Sequence, residues 1–276
     1  MALAMKELSS LFLLFIVLSM FFVTPSMSAA DTFVFGGCSQ LKFTSGSPYE
    51  YTVDSIFTSL VNSAMFSAYN NFTMPVAASG GSTSQDTVYG LFQCRGDLNK
   101  GACNSCVAKA VSQIGTLCFD STGGVLQLEG CLVKYDNATF LGEEDKTVVV
   151  TKCGPSLSPN TDGLTRRDAV LSYLEASDGM FRVGGSGNLQ GVAQCVGDLD
   201  PSECQDCLSN AVGRLKTDCG AAKWGDMYLA KCYARYSEGG DHSDAGKGKR
   251  FRHLFHGGSS YLFLIYNIYL VWFEFA

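Results

Sequence analysis

Cysteine spacing constrains this chain more than any other feature of it. Five cysteines run Cys94, Cys103, Cys106, Cys118, Cys131, and five more run Cys195, Cys204, Cys207, Cys219, Cys232. Both sets read C-x8-C-x2-C-x11-C-x12-C, at a constant offset of 101 residues, which marks a tandem duplication. Cys38 and Cys153 each precede one set, so each unit holds six cysteines and all 12 are used. A unit of this size builds only a modest core, and each disulfide adds about 2–4 kcal/mol, comparable in sum with the stability of a small domain.

The amino terminus names the compartment in which such thiols pair. Lys6 precedes the apolar run Leu11 to Val23, followed by Thr24-Pro25-Ser26 and the small residues Ser28-Ala29-Ala30. That is the pattern of a secretory signal peptide over residues 1–30, cut near Ala30, and the apolar run is short for a spanning helix. A signal peptide with an even cysteine count points to an oxidising lumen and paired thiols. The net charge of −6 (20 basic, 26 acidic residues) is the wrong sign for a nucleic-acid partner.

The units follow one plan: domain 1 over 31–137, a linker over 138–152, and domain 2 over 153–238. In the first, Thr32 to Phe35 reads as a strand and Ser47-Pro48-Tyr49-Glu50 as a capping box. Val53, Ile56, Phe57, Leu60, Val61 and Ala64 then recur at helical spacing to about Tyr69. Asn71-Phe72-Thr73 is a glycosylation acceptor expected in the following loop, Ala77 to Thr83 a Gly/Ser/Ala loop, and Val88 to Cys94 a strand. Cys103 to Leu117 is a second helix, and Val125 to Glu129 and Cys131 to Tyr135 are strands. A second acceptor, Asn137-Ala138-Thr139, lies at the linker.

Unit two repeats this with a shorter first helix, Arg166 to Ala176, and a loop at Gly184-Gly185-Ser186-Gly187. Asp200-Pro201-Ser202-Glu203 caps its second helix, and Met227 to Tyr236 matches the closing strands. Cys38–Cys94 is a longer spacing than Cys153–Cys195, a difference expected to fall in the first helix and its loop. Helices on one face of an antiparallel sheet give an α+β unit. Residues 239–276 form a linker, a basic cluster (Lys247, Lys249, Arg250, Arg252) and the apolar stretch Tyr261 to Ala276, a marginal membrane anchor with its positive charge on the lumenal side.

Catalytic groups are scarce. The Cys-x2-Cys pairs, weighed as zinc ligands, a redox dithiol or structural bridges, fit structural bridges best, because each is embedded in a six-cysteine repeat. The three histidines, His242, His253 and His256, lie outside both repeats, so no Ser-His-Asp, Cys-His or His-metal site fits inside one. Asp97, Asp198 and Asp200 read as turn and cap residues; Glu129, Asp136 and Asp226 read as ordinary surface charges flanking strands. Tyr135, Tyr228, Tyr233 and Tyr236 are core aromatics or a contact surface. No catalytic residue, cofactor or metal is expected, and the chain is not read as an enzyme.

The repeated C-x8-C-x2-C, with Tyr89-Gly90-Leu91-Phe92-Gln93-Cys94 and Ala193-Gln194-Cys195-Val196-Gly197-Asp198-Leu199, resembles the plant ginkbilobin-homologous (stress-antifungal) domain. Two such domains behind a signal peptide, without a kinase domain, look like the cysteine-rich repeat secretory proteins, the plasmodesmata-located ones above all. The resemblance implies two tandem disulfide-stapled domains, each two helices packed on a five-stranded antiparallel sheet. It implies the pairs Cys38–Cys118, Cys94–Cys103, Cys106–Cys131, Cys153–Cys219, Cys195–Cys204 and Cys207–Cys232. The sugar-binding residues of mannose-binding members of the fold are replaced here by Ser39, Val125 and Asp136 in unit one and Gly154, Asp226 and Ser237 in unit two. The expectation is a non-enzymatic receptor-like protein of plasmodesmata that modulates cell-to-cell trafficking and defence signalling. The alternative is a soluble secreted carbohydrate-binding or antifungal protein. Partners would be other proteins or cell-wall glycans, with N-glycans at Asn71 and Asn137, homo- or hetero-oligomers as further partners, and the plasma membrane reached through Tyr261–Ala276.

Overall fold

The structure, a computed structural model, describes residues 29–77, 86–156 and 161–239. The signal peptide up to residue 28, most of the Ala77–Thr83 loop, and the tail with Tyr261–Ala276 lie outside the described residues.

Domain 1 runs β1 (Phe33–Cys38), α1 (Pro48–Ser63), β2 (Tyr69–Pro75), β3 (Thr87–Cys94), α2 (Lys100–Leu117), β4 (Gly124–Leu128) and β5 (Cys131–Asp136). Domain 2 runs β6 (Val148–Cys153), α3 (Thr161–Ala176), β7 (Phe181–Ser186), β8 (Leu189–Cys195), α4 (Pro201–Asp218), β9 (Trp224–Leu229) and β10 (Cys232–Glu238). Each domain is one antiparallel sheet, ordered β1-β4-β5-β3-β2 and β6-β9-β10-β8-β7. The α+β plan of two helices on a five-stranded sheet is thus present twice.

Local chemistry explains where the helices begin. Ser47 caps α1 by accepting the Glu50 N–H, with Pro48 in the first turn, and Tyr49, Val53, Ile56 and Leu60 form its buried stripe. Asp200 caps α4 by accepting the Ser202 and Glu203 N–H groups, while the Glu203 carboxylate accepts the Asp200 N–H at 2.9 Å. In each unit the stripe packs against the sheet to form that domain's own core.

The disulfides weld helix to sheet at one point. Cys103 and Cys106, one turn apart on α2, bridge to Cys94 and Cys131, and these two stand directly opposite each other on β3 and β5. Cys204 and Cys207 do the same to the opposed pair Cys195 and Cys232. Cys38–Cys118 and Cys153–Cys219 tie each edge strand, β1 or β6, to the end of the second helix. No cysteine is free.

Several sequence expectations are corrected. Helix α1 stops at Ser63, not near Tyr69, and the chain returns at once as edge strand β2, which holds Asn71 opposite Leu91. The acceptor at Asn71 therefore sits in a strand, on an exposed residue, not in a loop. Helix α3 is as long as α1, 16 residues each, so the shorter spacing of unit two does not come from its first helix. The difference falls mainly between the next two strands: residues 76–86 join β2 to β3, whereas residues 187–188 alone join β7 to β8. Gly184 to Ser186 are strand, and only Gly187 (φ +63°) and Asn188 form the turn, where the positive φ suits glycine. Val148–Cys153 forms β6, so domain 2 begins inside the 138–152 segment expected as linker.

Candidate functional site

The faces of the two sheets turned away from the helices meet across a seam. Two repeated motifs build it: Gln93-Cys94-Arg95-Gly96-Asp97 and Gln194-Cys195-Val196-Gly197-Asp198. The Gly197 N–H donates to Gln93 Oε1 at 2.8 Å, and the Gly96 N–H donates to Gln194 Oε1 at 3.2 Å. Each glutamine thus accepts from the glycine of the opposite motif. Gln194 Nε2 also donates to the Cys94 carbonyl at 2.9 Å. The glycines are obligatory by space. A Cβ on Gly96 would lie 2.4 Å from the Phe181 ring, and one on Gly197 would lie 2.7 Å from the Tyr69 ring. Tyr69 and Phe181 open the matching strands β2 and β7, so the packing is reciprocal as well.

Around this frame lie two buried ion pairs, one beside a cluster of aromatic rings and one under an apolar cover. The Arg235 guanidinium, 1% exposed, donates Nε to Asp226 Oδ1 at 2.7 Å and Nη2 to Asp226 Oδ2 at 3.2 Å. It also donates Nη1 and Nη2 to the Glu129 carboxylate of domain 1. Tyr228 stacks edge-on against Phe35 of domain 1 and tilts over Tyr233. Burial alone would pull Arg235 down, but the negative groups around it (Tyr228 when ionised, Asp226 and Glu129) outweigh that and hold it above its usual range. Burial pushes the Tyr228 and Tyr233 phenols upward, with Arg235 opposing.

The apolar cover is Phe140 and Leu141 of the connecting segment, which lie over the domain 1 sheet with Leu91, Leu132 and Val196. Lys231 and Asp198 form a second buried ion pair there, and Lys231 Nζ also donates to the Phe140 carbonyl at 2.7 Å. Asp198 Oδ2 accepts the Gly142 N–H at 3.0 Å, while its Oδ1 has no hydrogen-bond partner among the described residues. A cavity of about 30 Å³ remains between Gln93, Arg95, Gln127, Glu129, Gln194 and Tyr233, polar and roomy enough for about one water.

Glu129, Asp226 and Asp198, expected as surface charges or turn residues, are therefore ion-paired inside the molecule. Their partners Arg235 and Lys231 are distant in sequence or across a hairpin, which hid the pairing. Asp200 is the cap it was read as. Of the four tyrosines, Tyr135 and Tyr236 are core residues whose hydroxyls donate to Ser121 O and Ala222 O, whereas Tyr228 and Tyr233 belong to the seam. Burial, then Asp136, pushes the Tyr135 phenol up to about 12.

The positions of the family's sugar site are otherwise engaged. The Asp226 carboxylate belongs to Arg235, Ser237 is buried, and the Trp224 indole lies where any Gly154 side chain would point. In domain 1, Val125 packs against the apolar seam cluster, and the Asp136 carboxylate lies against Gly123 and accepts the Ala138 N–H at 3.1 Å. Among the described residues no group of three or more His, Cys, Asp or Glu could hold a metal, and no helix is long and apolar enough to cross a membrane.

The arrangement does not gather acid, base and nucleophile around an open cleft. It locks two disulfide-stapled sheets together and leaves their outer surfaces for contact. Outside the seam, exposed large apolar side chains concentrate in domain 1: Phe33, Leu41, Leu117 and Phe119 flank the Cys38–Cys118 bridge.

Comparison with known proteins bears on this geometry. The salt stress response/antifungal family model matches residues 37–138 and again 149–239. Plasmodesmata-located protein 7 of Arabidopsis thaliana is 62% identical over 218 residues, 79% of this chain and 72% of that protein. Plasmodesmata-located protein 6 of the same plant is 60% identical over 235 residues, 84% and 80% of the two chains. The crystal structure of the tandem DUF26 ectodomain of the Arabidopsis cysteine-rich receptor-like protein PDLP5 superposes with a TM-score of 0.70 at 50% identity, over 76% of this chain and all of that one. Duplicated cysteine frame, paired sheets and matched sequence agree: this chain belongs to the salt stress response/antifungal (DUF26) family and carries its domain twice.

Proposed function

We propose that this chain is a receptor-like protein of plasmodesmata whose tandem ectodomain binds partners in the wall or at the membrane, and so modulates cell-to-cell trafficking and defence signalling. One observation carries the reading: identity of 60% or more to two plasmodesmata-located proteins, across both domains and the seam between them. Welded domains without an assembled catalytic cluster suit a protein that presents surfaces. The exposed apolar residues around Cys38–Cys118 favour protein over sugar as partner, because soluble monomers keep such groups scattered. Copies of the chain itself are included among those partners. N-glycans on Asn71 and Asn137, both exposed, belong to this reading, as does anchoring through Tyr261–Ala276.

A fluorescent fusion of the full chain tests it in leaf epidermis. Paired puncta at wall junctions that resist plasmolysis are expected; diffuse apoplastic signal overturns the plasmodesmal assignment. Carbonate extraction of the same membranes reads anchoring separately.

A further inference from the structure

Strand β1 is an outer strand of the domain 1 sheet, paired on one side only, with β4. Its register sets Phe35 opposite Gln127 and Gly37 opposite Val125, and the Ser39 N–H donates to the Gly123 carbonyl at 2.8 Å. By the alternation of an antiparallel ladder, the N–H and C=O groups of Gly36 and Cys38 point away from β4, where no strand stands. Gly36 is exposed and lies at the floor of an open groove of about 370 Å³. A Cβ on Gly36 would meet Leu117 at 2.7 Å, Leu126 at 3.2 Å and Phe33 at 3.3 Å, the apolar lining of that groove. Ser112, Gln113 and Thr116 of α2 complete the wall. An unpaired backbone beside an apolar slot is the layout by which a sheet edge takes up an extended peptide. Domain 2 lacks the slot: β6 has Thr151 where β1 has Gly36, and α4 ends on Asp218 where α2 ends on Leu117.

Charge decides between occupants. Lys152 Nζ reaches the Val34 carbonyl at 3.5 Å on β1 itself. Beyond the other end of the strand, Lys42 Nζ donates to the Phe119 carbonyl at 2.6 Å and to the Ser121 hydroxyl at 2.8 Å. Both lysines are exposed, and neither has a carboxylate within ion-pair distance among the described residues. Lys109, farther along α2, is already paired with Asp31. A second copy pairing β1 on β1 about a two-fold axis would bring the Lys42 end of one copy to the Lys152 end of the other, like charge against like. Pairing β1 with β6 of another copy is head-to-tail and does not close. An extended segment with acidic ends meets neither obstacle.

We propose that β1 is a docking edge that takes up an extended, acidic-ended apolar peptide of a partner protein as a sixth strand of the domain 1 sheet. The peptide residue opposite Gly36 exchanges backbone hydrogen bonds with it and lays an apolar side chain into the groove between Phe33, Leu117 and Leu126. Carboxylates at the two ends of the peptide face Lys42 and Lys152. This rests on the reading of domain 1 as the face that binds protein, and it names the form that partner takes.

The test uses the full chain purified from plant cells and a fluorescein-labelled probe, acetyl-Asp-Glu-Val-Thr-Ile-Thr-Val-Glu-amide, followed by fluorescence anisotropy. Saturable binding is expected, weakened roughly tenfold or more by Leu117→Asp, the loss typical of an anchor side chain. Binding that Leu117→Asp leaves unchanged overturns the site. On the unaltered protein, N-methylation of the Val and Ile amides, which face β1, should abolish binding, whereas N-methylation of the Thr amides, which face solvent, should spare it. Equal affinity of the two methylated peptides overturns strand addition. A probe with Lys in place of each acidic residue should bind roughly tenfold more weakly, the gap narrowing with salt; equal binding overturns the acidic partner. A dimer in sedimentation that Leu117→Asp dissolves makes a second copy the occupant and overturns the proposal. Absence of all probe binding overturns it as well, while puncta at wall junctions from a Leu117→Asp fusion would leave the plasmodesmal reading standing.

Discussion

Lys134 and Arg235 hold the same place in the two halves, 101 residues apart on β5 and β10, and their surroundings differ. Opposite Lys134 on the neighbouring strand stands Val125; opposite Arg235 stands Asp226. Lys134 lies over the Phe140 ring at 4.3 Å and has no ion pair among the described residues. Burial, then the like charge of Lys231, lowers its pKa. Arg235 has two carboxylates, one from each domain. Elsewhere the halves repeat faithfully: cysteines, glutamine–glycine contacts, and the tyrosines that close each core. Duplication thus preserved what holds each unit together and what welds the two, while the open faces drifted apart and the seam became one-sided.

Breaking the weld should show this most strongly. Arg235→Met strands Asp226 and Glu129 without a counter-charge and should cost about 3–5 kcal/mol, the penalty typical of a buried pair that loses one partner. Lys134→Met at the matching place should change stability by no more than about 1 kcal/mol in either direction, because a desolvated ammonium is exchanged for a thioether of similar length. Urea unfolding of both variants with disulfides intact reads the difference. Equal losses would mean that the seam is balanced after all.

Alkaline titration sharpens the same contrast. Tyr135, Tyr228 and Tyr233 all have folded-state pKa values above the ordinary 10. Below pH 10 both states hold these protons and the stability is fully present. As pH rises through 10 the unfolded chain releases them first, so stability falls until the folded values are passed. For Tyr135, raised to about 12, the loss amounts to about 2–3 kcal/mol at completion. Domain 1 has Gln127 and Leu132 where domain 2 has Tyr228 and Tyr233. Tyr228→Gln with Tyr233→Leu should therefore flatten the decline between pH 10 and 12, seen in urea midpoints after brief exposure. An unchanged slope would assign the alkaline loss to the cores alone.

How much of this was legible beforehand follows from how far apart the interacting residues are in sequence. Helix starts were readable because caps and stripes act within a few residues, as at Ser47 and Asp200. The end of α1 was not, because Asn70-Asn71 is a poor helix and an equally poor strand on its own; pairing with β3 and the burial of Phe72 and Met74 decide it. Glu129 looked like a surface charge because its partner Arg235 is 106 residues away. The seam did leave a trace, the Q-C-x-G-D phrase written twice. Its second copy served to recognise a family, yet a glutamine before and a glycine after each helix-stapling cysteine also encodes the reciprocal contact.

That contact supplies the next test. Gln93→Ala orphans the Gly197 N–H and Gln194→Ala orphans the Gly96 N–H, so each should cost about 1–3 kcal/mol, and by similar amounts. Gln194→Ala should be slightly the larger: both glutamines donate to the Cys94 carbonyl, but Gln194 Oε1 also accepts from the Tyr233 hydroxyl at 3.2 Å. Differential scanning calorimetry on the two variants would rank them; a reversed order would mean that Gln93 carries the weld.

The smallest effect on stability is expected where the halves differ most in outward chemistry. Register and cysteine spacing match Phe33 with Val148, Leu41 with Pro155, Leu117 with Asp218 and Phe119 with Gly220. Phe33 and Leu117 line an open groove with Leu126, and each is about half exposed. Installing the domain 2 residues, Phe33→Val with Leu117→Asp, removes exposed apolar surface without opening a cavity, so stability should stay within about 0.5 kcal/mol. Binding of an apolar fluorescent dye to the folded protein should drop at the same time. A loss above 2 kcal/mol would show instead that these side chains serve the domain 1 core, and that the asymmetry between the halves is one of packing, not of surface offered to a partner.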